Sequence, residues 1–353
     1  MTKNRFLKRI KLTQEILGKI AKIDELKGFW QGGLNLNPQI LSKLKKSVII
    51  TSSGSSTRIE GVEMSDQEVA HLLRGLKSRL PKNIDEQEVA GYADLLGRIF
   101  DNHKTFKLSE SRILQFHDIM LKFSKKDQKH RGQYKKTDNI VIAKDRTGRQ
   151  KVLFRPTPPY LVKAEMDNVL FWTNQQLEKD DLHNLLVIAN FIFEFLAIHP
   201  FHDGNGRLSR AMTNWLLLKS GYSYIPYVSM EEIIEDKQAD YYLSLRATQK
   251  KHKTKNEDIS VWLVFFLDTL IKQADKARKI MQKKQPETML SEKQEKIYAL
   301  FKHKDILGVL EIDKKSKHKI PKVTIKQALS RLVDLGLIER IGMGRGTRYR
   351  RLG

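Results

Sequence analysis

The hydrophobic pattern of the chain is mainly that of α-helices. A nearly continuous apolar stretch covers residues 185–198, and a second covers residues 211–220 and stops at Gly221. Both stretches have the length of buried helices, and neither reaches the length that is needed to cross a membrane. The polar residues between them, 199–210, are therefore predicted to form the loop and first turn of a helix–loop–helix corner.

Helical spacing of apolar residues recurs over most of residues 1–284. Residues 1–51 are expected to form helices with a break at residues 27–33, where three glycines occur. Further helices are predicted over residues 62–128, 160–178 and 259–284. Pro286 follows the last of these helices and marks a linker.

Residues 125–159 depart from the helical pattern. A β-branched run at residues 139–142 and an apolar run at residues 151–154 flank the turn sequence at residues 145–148. This arrangement predicts a β-hairpin. The simplest interpretation of such a hairpin is structural decoration of a helical domain.

The last segment, residues 288–353, has the pattern of a separate module. Helical spacing at residues 291–301 and 322–335 is followed by two short strands around the glycine-rich residues 342–346. Three helices and a basic hairpin resemble a winged helix, a domain that inserts its third helix into the major groove of DNA. Phosphate contacts would then come from these cations: Lys322, Lys326, Arg345 and Arg348. Protein binding or dimerisation is the alternative role of such a module.

The chain is strongly basic and contains no cysteine. It has 65 Lys and Arg against 41 Asp and Glu, a net charge of +24, and residues 287–353 alone contribute 16 basic against 8 acidic residues. This balance favours an acidic partner, most plausibly nucleic acid, although a purely solubilising surface is the alternative. Disulfides are excluded. The basic first 24 residues lack the features of a secretory signal, so a cytoplasmic protein is expected, with no membrane partner.

The corner at residues 199–210 has the chemistry of an anion site. Gly204 and Gly206 flank Asn205 directly before a predicted helix start, where several backbone N–H groups converge on one point. Arg207 and Arg210 are three residues apart on the first helical turn, so both can reach a polyphosphate. Taken singly, such arginines are more often a solvated helix face.

Two further side chains of the corner complete a reaction centre. Asp203 is the carboxylate of the loop, and one carboxylate beside phosphates suits Mg²⁺. His199 lies at a helix end and can accept a proton near neutral pH, although a lone histidine there often has only a structural role. Together these groups suit nucleotidyl or phosphoryl transfer to a hydroxyl. A metal-dependent phosphohydrolase using the His202-Asp203 dipeptide is the rival, but it gives residues 204–207 no function.

Residues 199–210, HPFHDGNGRLSR, resemble the signature of Fic-domain proteins, His-Pro-Phe-x-(Asp/Glu)-Gly-Asn-Gly-Arg-x-x-Arg, at every fixed position. The resemblance implies a Fic-type helical core that transfers AMP from ATP to a Tyr, Thr or Ser hydroxyl of a target protein. It implies that His199 is the general base and that Asp203 is a Mg²⁺ ligand. It also implies that Gly204–Gly206 form the anion cradle and that Arg207 and Arg210 orient the phosphates.

A second resemblance concerns residues 56–61. Ser56-x-x-x-Glu60-Gly61 resembles the inhibitory motif of Fic proteins, (Ser/Thr)-x-x-x-Glu-(Gly/Asn). It implies a class with an N-terminal inhibitory helix, in which Glu60 pairs with Arg210 and prevents that arginine from binding the γ-phosphate. The plain alternative is a serine-rich loop that caps a short helix and ends at a glycine.

Two weaker resemblances complete the comparison. Residues 132–135 resemble the family's Gly-x-(Tyr/Phe)-Arg, from which Lys135 departs, and the hairpin at about residues 138–155 would be the flap that binds the target segment as an added strand. Tyr241 and Tyr242 resemble a tyrosine pair that contacts the nucleoside, or they are core tyrosines.

The sequence thus predicts a mainly α protein in three parts. These are an N-terminal helical region at residues 1–110, a Fic core at residues 111–284, and a winged-helix-like (α+β) domain at residues 288–353. The predicted function is a protein adenylyltransferase that Glu60 inhibits. The alternatives are a DNA-binding regulator whose Fic core is a sensor, and a bifunctional enzyme that also removes AMP. A homodimer would fit the family, and the target and the choice of nucleotide are left open.

Overall fold

The computed structural model describes residues 3–32, 38–76, 78–144, 150–282, 290–301, 306–342 and 344–352. The fold is mainly α-helical, as predicted. Backbone contacts divide the chain into two compact units, the first with Met1–Leu34 and Ser42–Ile280 and the second with Asn35–Leu41 and Met281–Gly353. The three domain boundaries expected from the sequence stay predictions.

The helices before residue 283 are numbered in chain order. They are α1 (Lys3–Lys8), α2 (Gln14–Gly32), α3 (Pro38–Arg58), α4 (Asp66–Gly75), α5 (Ile84–Asn102), α6 (Glu110–Met120), α7 (Pro159–Lys179), α8 (Asn184–Ile198), α9 (Asn205–Lys219), α10 (Met230–Glu235), α11 (Gln238–Gln249) and α12 (Ser260–Gln282). The expected end of the last helix at residue 284 lies outside the described residues.

Helix α8 is the centre of the first unit. All its residues from Leu185 to Ile198 are buried, and it packs between α7 and α9. A helix with no solvent-exposed face must pair its polar side chains inside the protein. Asn190 and Glu194 are such side chains, and both bind Arg9 from the segment that follows α1.

The cluster around Arg9 fixes the N-terminal segment to α8. Arg9 is 1% exposed and donates to Asn190 Oδ1 over 2.8 Å, to Glu257 Oε1 over 2.9 Å, and to Glu194. Arg5 adds a 2.5 Å contact to Glu194. Although burial alone would raise the pKa of Glu194, Arg9 and its neighbours hold it well below its usual range, so the carboxylate is charged.

The break predicted at residues 27–33 is wrong for residues 27–32, because α2 continues to Gly32. Trp30 is buried in this part of the helix and stacks on Tyr227 with ring centroids 5.6 Å apart. Burying such a side chain stabilises the helix by more than the roughly 1 kcal/mol that one glycine costs in a helix interior. Gly33 lies outside the described residues.

The predicted hairpin is present as β1 (Val141–Lys144) and β2 (Gln150–Phe154). The strands pair antiparallel from Lys144 opposite Gln150 to Val141 opposite Phe154, with an irregularity after Val141. The turn predicted at residues 145–148 lies outside the described part of the chain.

The second unit contains α13 (Glu292–Tyr298), β3 (Ile306–Leu307), α14 (Val309–Lys315), α15 (Lys322–Asp334), β4 (Ile338–Ile341) and β5 (Arg348–Arg351). The strands form an antiparallel sheet in the order β3-β5-β4. The hydrophobic core of this unit includes Ile297, Ile312 and Leu329. The winged-helix assignment stays a prediction, and Pro286 and the side chain of Arg345 lie outside what the structure describes.

None of the helices in the described ranges is long and apolar enough to cross a membrane.

Replacing Arg9 tests how far the first unit depends on the buried cluster. Because Arg9→Met removes the buried cation of Glu194 and leaves only His252 and the partly exposed Arg5 beside it, we expect the free energy of unfolding to fall by up to about 3–5 kcal/mol. Urea unfolding followed by tryptophan fluorescence measures this in the first unit alone, since all four tryptophans lie before residue 281. The control is Lys11→Met, which removes a cation that is 63% exposed and pairs with Asp258. It should cost less than about 1 kcal/mol. Equal effects of the two substitutions would contradict the expectation.

Candidate active site

The corner between α8 and α9 forms as the sequence predicts. His199 ends α8 in the left-handed conformation, with φ 52° and ψ 61°, and its N–H donates to the Phe195 carbonyl over 2.9 Å. Gly204 precedes α9 with φ 79°. Glycine takes this conformation without the steric cost that a Cβ atom brings. The chain can therefore reverse within a few residues and begin α9 at the loop.

Asn205 closes the loop through its side chain. Its Oδ1 accepts the Phe201 N–H over 3.0 Å, and its Nδ2 donates to the Phe201 carbonyl over 2.8 Å. The amide is therefore used within the loop. Any contribution of Asn205 to the predicted anion cradle has to come from its backbone N–H.

His199 is half-buried, and its geometry determines its tautomer. Nδ1 lies 3.4 Å from the Leu196 carbonyl oxygen, which can only accept a hydrogen bond, so Nδ1 carries the hydrogen. Nε2 is then the unprotonated nitrogen. Burial, and then the positive charge of Lys135, lower the pKa of His199 to about 4. The ring is therefore neutral near pH 7 and able to accept a proton.

Two cations and two carboxylates form an ion cluster beside the loop. Arg207 contacts Asp203 Oδ1 at 3.1 Å and Glu88 Oε2 at 2.8 Å. Lys126 contacts Glu88 Oε1 at 3.0 Å and Asp203 Oδ2 at 3.2 Å. Although burial alone would raise the pKa of Asp203, Arg207 and Lys126 lower it to about 2, so the carboxylate is ionised. Sequence reasoning missed Glu88 and Lys126.

The surroundings of Asp203 fit the predicted Mg²⁺ ligand. Its Oδ1 accepts the Gly204 N–H over 2.6 Å, while its Oδ2 faces Lys126, a side chain that is 47% exposed. A lysine on such a long exposed stem can move away from the carboxylate. One ionised carboxylate with an accessible oxygen suits Mg²⁺, which keeps several waters and binds substrate phosphates.

The rival prediction of a metal-dependent phosphohydrolase requires a group of at least three ligands that includes His202, and the described residues contain no such group. Among the described residues, the one group of three side chains close enough to bind a metal is Glu194, His252 and Glu257. That group lies in the Arg9 cluster. The ring of His202 is beside that of His130, with centroids 4.7 Å apart.

The serine-rich residues 51–58 are helical, so the alternative of a loop there is wrong. They form the last turns of α3, and several of their hydroxyls bind the backbone of the helix itself. Ser53 Oγ donates to the Ile49 carbonyl over 2.6 Å, and Thr57 Oγ1 donates to the Ser53 carbonyl over 2.8 Å. These bonds satisfy polar side chains that are buried in the first unit. Helix α3 ends at Arg58, and Gly61 follows with φ 102°.

Arg210 binds the end of α3. Its Nε donates to Ser56 Oγ over 2.9 Å, and its Nη2 donates to the Ser56 carbonyl over 2.7 Å and to Glu60 Oε1 over 2.8 Å. Arg210 is 2% exposed, and burial would lower its pKa, but Glu60 raises it above its usual range. The ion pair that the inhibitory motif predicts is therefore present.

The carboxylate of Glu60 also touches the start of α9. A Cβ atom on Gly206 would lie 2.2 Å from Glu60 Oε1, so the carboxylate is directly against the glycine backbone. This is the end of the helix that attracts anions. Two buried donors at this place, Arg210 Nη1 and Arg207 Nε, have no hydrogen-bond partner among the described residues.

The two predicted nucleoside-binding tyrosines have different environments. Tyr241 is buried against Trp262 and Phe265, and its side chain also interacts with Arg210 and Ser209 of α9. Tyr242 donates to the Ile59 carbonyl over 3.2 Å, next to Glu60. A contact of either ring with a nucleoside stays a prediction.

His117 is a further residue of the site that sequence reasoning missed. Its Nδ1 accepts the Gly132 N–H over 2.9 Å, its Nε2 lies 3.1 Å from the Asp203 carbonyl oxygen, and its ring stacks on Phe201 at 3.8 Å. Nε2 must therefore be the protonated nitrogen. Burial lowers the pKa of His117 to about 4. The available signal was its place as a polar residue in the buried stripe of α6, with Ile113 and Phe116.

Known proteins resemble this chain over the segment that contains the site. Residues 107–217 match the model of the Fic/DOC family. A probable protein adenylyltransferase of Aquifex aeolicus is 29% identical over 101 residues, which are 29% of this chain and 28% of that protein. The protein adenylyltransferase fic-1 of Caenorhabditis elegans is 28% identical over 119 residues, which are 33% of this chain and 22% of that protein. The matched segments thus span about a quarter of these curated relatives.

Solved structures share the fold over a longer part of the chain. A Fic family protein of Desulfovibrio desulfuricans superimposes with a TM-score of 0.73 over 97% of both chains at 20% identity. The Fic-1 structure of Caenorhabditis elegans superimposes with a TM-score of 0.57 over 75% of this chain and 73% of that one, at 18% identity. With the complete signature at residues 199–210 and the family model over residues 107–217, the protein carries a Fic domain of the Fic/DOC family.

Proposed function

We propose that this protein is an adenylyltransferase that transfers AMP from ATP to a hydroxyl group of a target protein, and that Glu60 inhibits it. The observation that carries the proposal is a neutral His199 beside an anion site against which the Glu60 carboxylate lies. The curated relatives named above are protein adenylyltransferases, which supports the same activity.

In this reaction His199 is the general base. Its Nε2 takes the proton of the target hydroxyl as the oxygen forms a bond to the α-phosphorus of ATP. The bond from that phosphorus to the bridging oxygen breaks, and pyrophosphate leaves. Because Nδ1–H is directed to the Leu196 carbonyl, the ring presents the correct nitrogen to the hydroxyl.

The start of α9 would bind the triphosphate. The backbone N–H groups of residues 204–206, the unpaired Nη1 of Arg210 and the Nε of Arg207 are donors for its oxygens. Asp203 would hold Mg²⁺, which when bound neutralises charge on the phosphates. Preorganised donors of this kind account for most of the catalysis in such transfers.

Glu60 competes with the substrate for the same donors. Its carboxylate occupies the approach to Gly206 and binds Arg210, so an incoming γ-phosphate meets a like charge and an engaged arginine. ATP would then bind with its α-phosphate displaced, and a misplacement near 1 Å costs about 10²-fold in rate. The same carboxylate makes AMP removal the alternative second activity.

The hairpin of β1 and β2 would bind the target segment as an added strand. A two-stranded sheet offers unpaired backbone groups at its edges, and main-chain pairing is tolerant of the target's sequence. A homodimer, and a nucleotide other than ATP, are the remaining variants of this proposal.

The first test is self-labelling with ATP labelled at the α-phosphate, in the presence of Mg²⁺. We expect Glu60→Gly to raise the label by at least about tenfold, because the competing carboxylate is removed. Adding His199→Ala to Glu60→Gly should abolish the label, because no base remains. The control is Glu63→Gly, an exposed glutamate three residues further along, which should behave as the wild type. ATP binding without label in all variants would overturn the proposed activity.

A second candidate function is DNA binding by the second unit, with the Fic core as a sensor. The observation that favours it is a set of exposed cations on α15 and β5. Lys322 and Arg348 have side chains that are 58% and 54% exposed, and Lys326 and Arg331 are exposed on α15. Cations that neutralise phosphates release counterions, so binding of this kind depends steeply on salt.

Fluorescence anisotropy with a labelled duplex at several salt concentrations tests this function. Replacing Lys322, Lys326 and Arg348 by glutamine should weaken binding and lower the slope of log K against log salt by about 3. The matched control replaces three exposed lysines of the first unit, Lys43, Lys46 and Lys104, and should leave the slope unchanged. Absence of salt-dependent binding in the wild type would overturn DNA binding. Unchanged AMP transfer in the triple variant would show that the two functions are separable.

A further inference from the structure

The segment Lys135–Asn139 binds the backbone on both sides of His199. The Lys135 N–H donates to the Pro200 carbonyl over 2.9 Å, and Lys135 Nζ lies 3.4 Å from the Ile198 carbonyl oxygen. One residue therefore holds the carbonyl before His199 and the carbonyl after it. Lys135 is also the position at which this chain departs from the family's arginine.

Asn139 extends this set of contacts by one residue. Its Nδ2 donates to the Phe201 carbonyl over 3.0 Å, and its Oδ1 accepts from Lys135 Nζ over 2.6 Å. The carbonyls of Ile198, Pro200 and Phe201 are thus all bound by two side chains and one N–H of the same short segment. We call residues 135–139 the strap.

The strap leads directly into the hairpin. Strand β1 begins at Val141, two residues after Asn139. A peptide that adds to this hairpin as a strand orders the backbone at the point where the strap ends. The geometry of His199 and the geometry of the hairpin therefore depend on the same five residues.

Lys135 also carries a buried charge next to the base. It is 3% exposed, and its described acceptors are an amide oxygen and a carbonyl oxygen. Asp138 and Glu165 of α7 act on it only through their charge, and burial lowers the pKa of Lys135 to about 8, so it is an ammonium near pH 7. The charged groups that act on His199 are Lys135, which disfavours its protonation, and Glu60 and Asp203, which favour it.

We propose that Lys135 and Asn139 are positioning residues for AMP transfer, which fix the direction of the His199 ring, hold an ammonium group beside it, and connect it to the hairpin. The proposal rests on the proposed function for its catalytic part. The structural part concerns the histidine alone. The two parts are therefore tested by different measurements.

The structural part is tested by NMR titration of ¹⁵N-histidine-labelled protein without nucleotide, with the His199 signals assigned from their loss in His199→Gln. In Lys135→Met we expect the midpoint of the His199 titration to move up by about one pH unit, because a neighbouring cation has been removed. Lys135→Arg should stay close to the wild type, and so should Lys136→Met, which removes an exposed lysine at the next position. An unmoved midpoint in Lys135→Met would overturn the proposal whether or not the protein transfers AMP.

Asn139→Asp is the second variant, and it covers the case in which Lys135→Met does not fold. It keeps the shape of the side chain but replaces the donor to the Phe201 carbonyl by an oxygen and places a carboxylate on Lys135 Nζ. The effect of the ammonium on His199 is therefore partly cancelled. We expect the His199 midpoint to move up here as well. A midpoint that moves down or stays would count against the strap.

The catalytic part is tested in the Glu60→Gly background by the pH dependence of AMP transfer. Because the base must be unprotonated, the acidic limb of kcat/KM, which reports the free enzyme, should move to higher pH in Lys135→Met by the same amount as the NMR midpoint. At pH 7, Asn139→Ala should lower kcat by about 10–100-fold with KM for ATP unchanged, since the strap does not contact the loop donors. An unmoved limb, or equal changes in kcat and KM, would overturn the positioning role. An inactive Glu60→Gly protein with a shifted NMR midpoint would overturn the proposed function and leave the strap intact.

Discussion

A buried guanidinium must have acceptors, and Arg210 finds acceptors at the end of α3 and directly after it. Two of its hydrogen bonds go to Ser56 and one to Glu60. Removing a charge from water without such partners costs several kcal/mol. The end of α3 therefore helps to hold Arg210 in place, and Glu60, the proposed inhibitory residue, follows directly after it. Since Ser56 supplies two of the three bonds, Arg210 can keep its place when Glu60 withdraws, and one guanidinium nitrogen is already without a partner.

Charged side chains of the protein lie at the positions where the charged groups of the proposed substrate and metal would bind. Glu60 lies where the outer phosphates would bind, and Lys126 contacts the carboxylate that would bind the metal. Glu88 balances Arg207 from α5. Several charged groups of the site are therefore paired before any ligand arrives, and a ligand that binds Arg210 or Asp203 has to displace part of an existing ion pair. Such a site gains less from binding than one with uncompensated charge, but it avoids the cost of leaving buried charges unpaired.

The parts of the fold and of the site that could be predicted from the sequence are those that lie within one short segment of the chain. The corner at residues 199–210, the buried helix before it and the β-hairpin follow from patterns within about 20 residues. His117, Glu88 and Lys126 come from residues that are about 70–120 positions away from the loop they contact, and no spacing rule connects them to it. The helical state of residues 51–58 was ambiguous for another reason. Serine and threonine favour loops unless their hydroxyls bind the helix backbone, as Ser53 and Thr57 do here.

The left-handed backbone conformation of His199 lowers the stability of the folded protein but places the residue at the end of α8. At φ 52° its Cβ atom crowds the neighbouring carbonyl, a cost of about 1–2 kcal/mol that glycine would not incur. The conformation stops α8 at that residue, where the loop of the proposed active site begins, so the strain accompanies the position of the proposed base. Selection for thermal robustness alone would favour glycine or asparagine at this position. Retention of histidine would then be a record of catalysis, and a pseudoenzyme descended from this chain should drift there first.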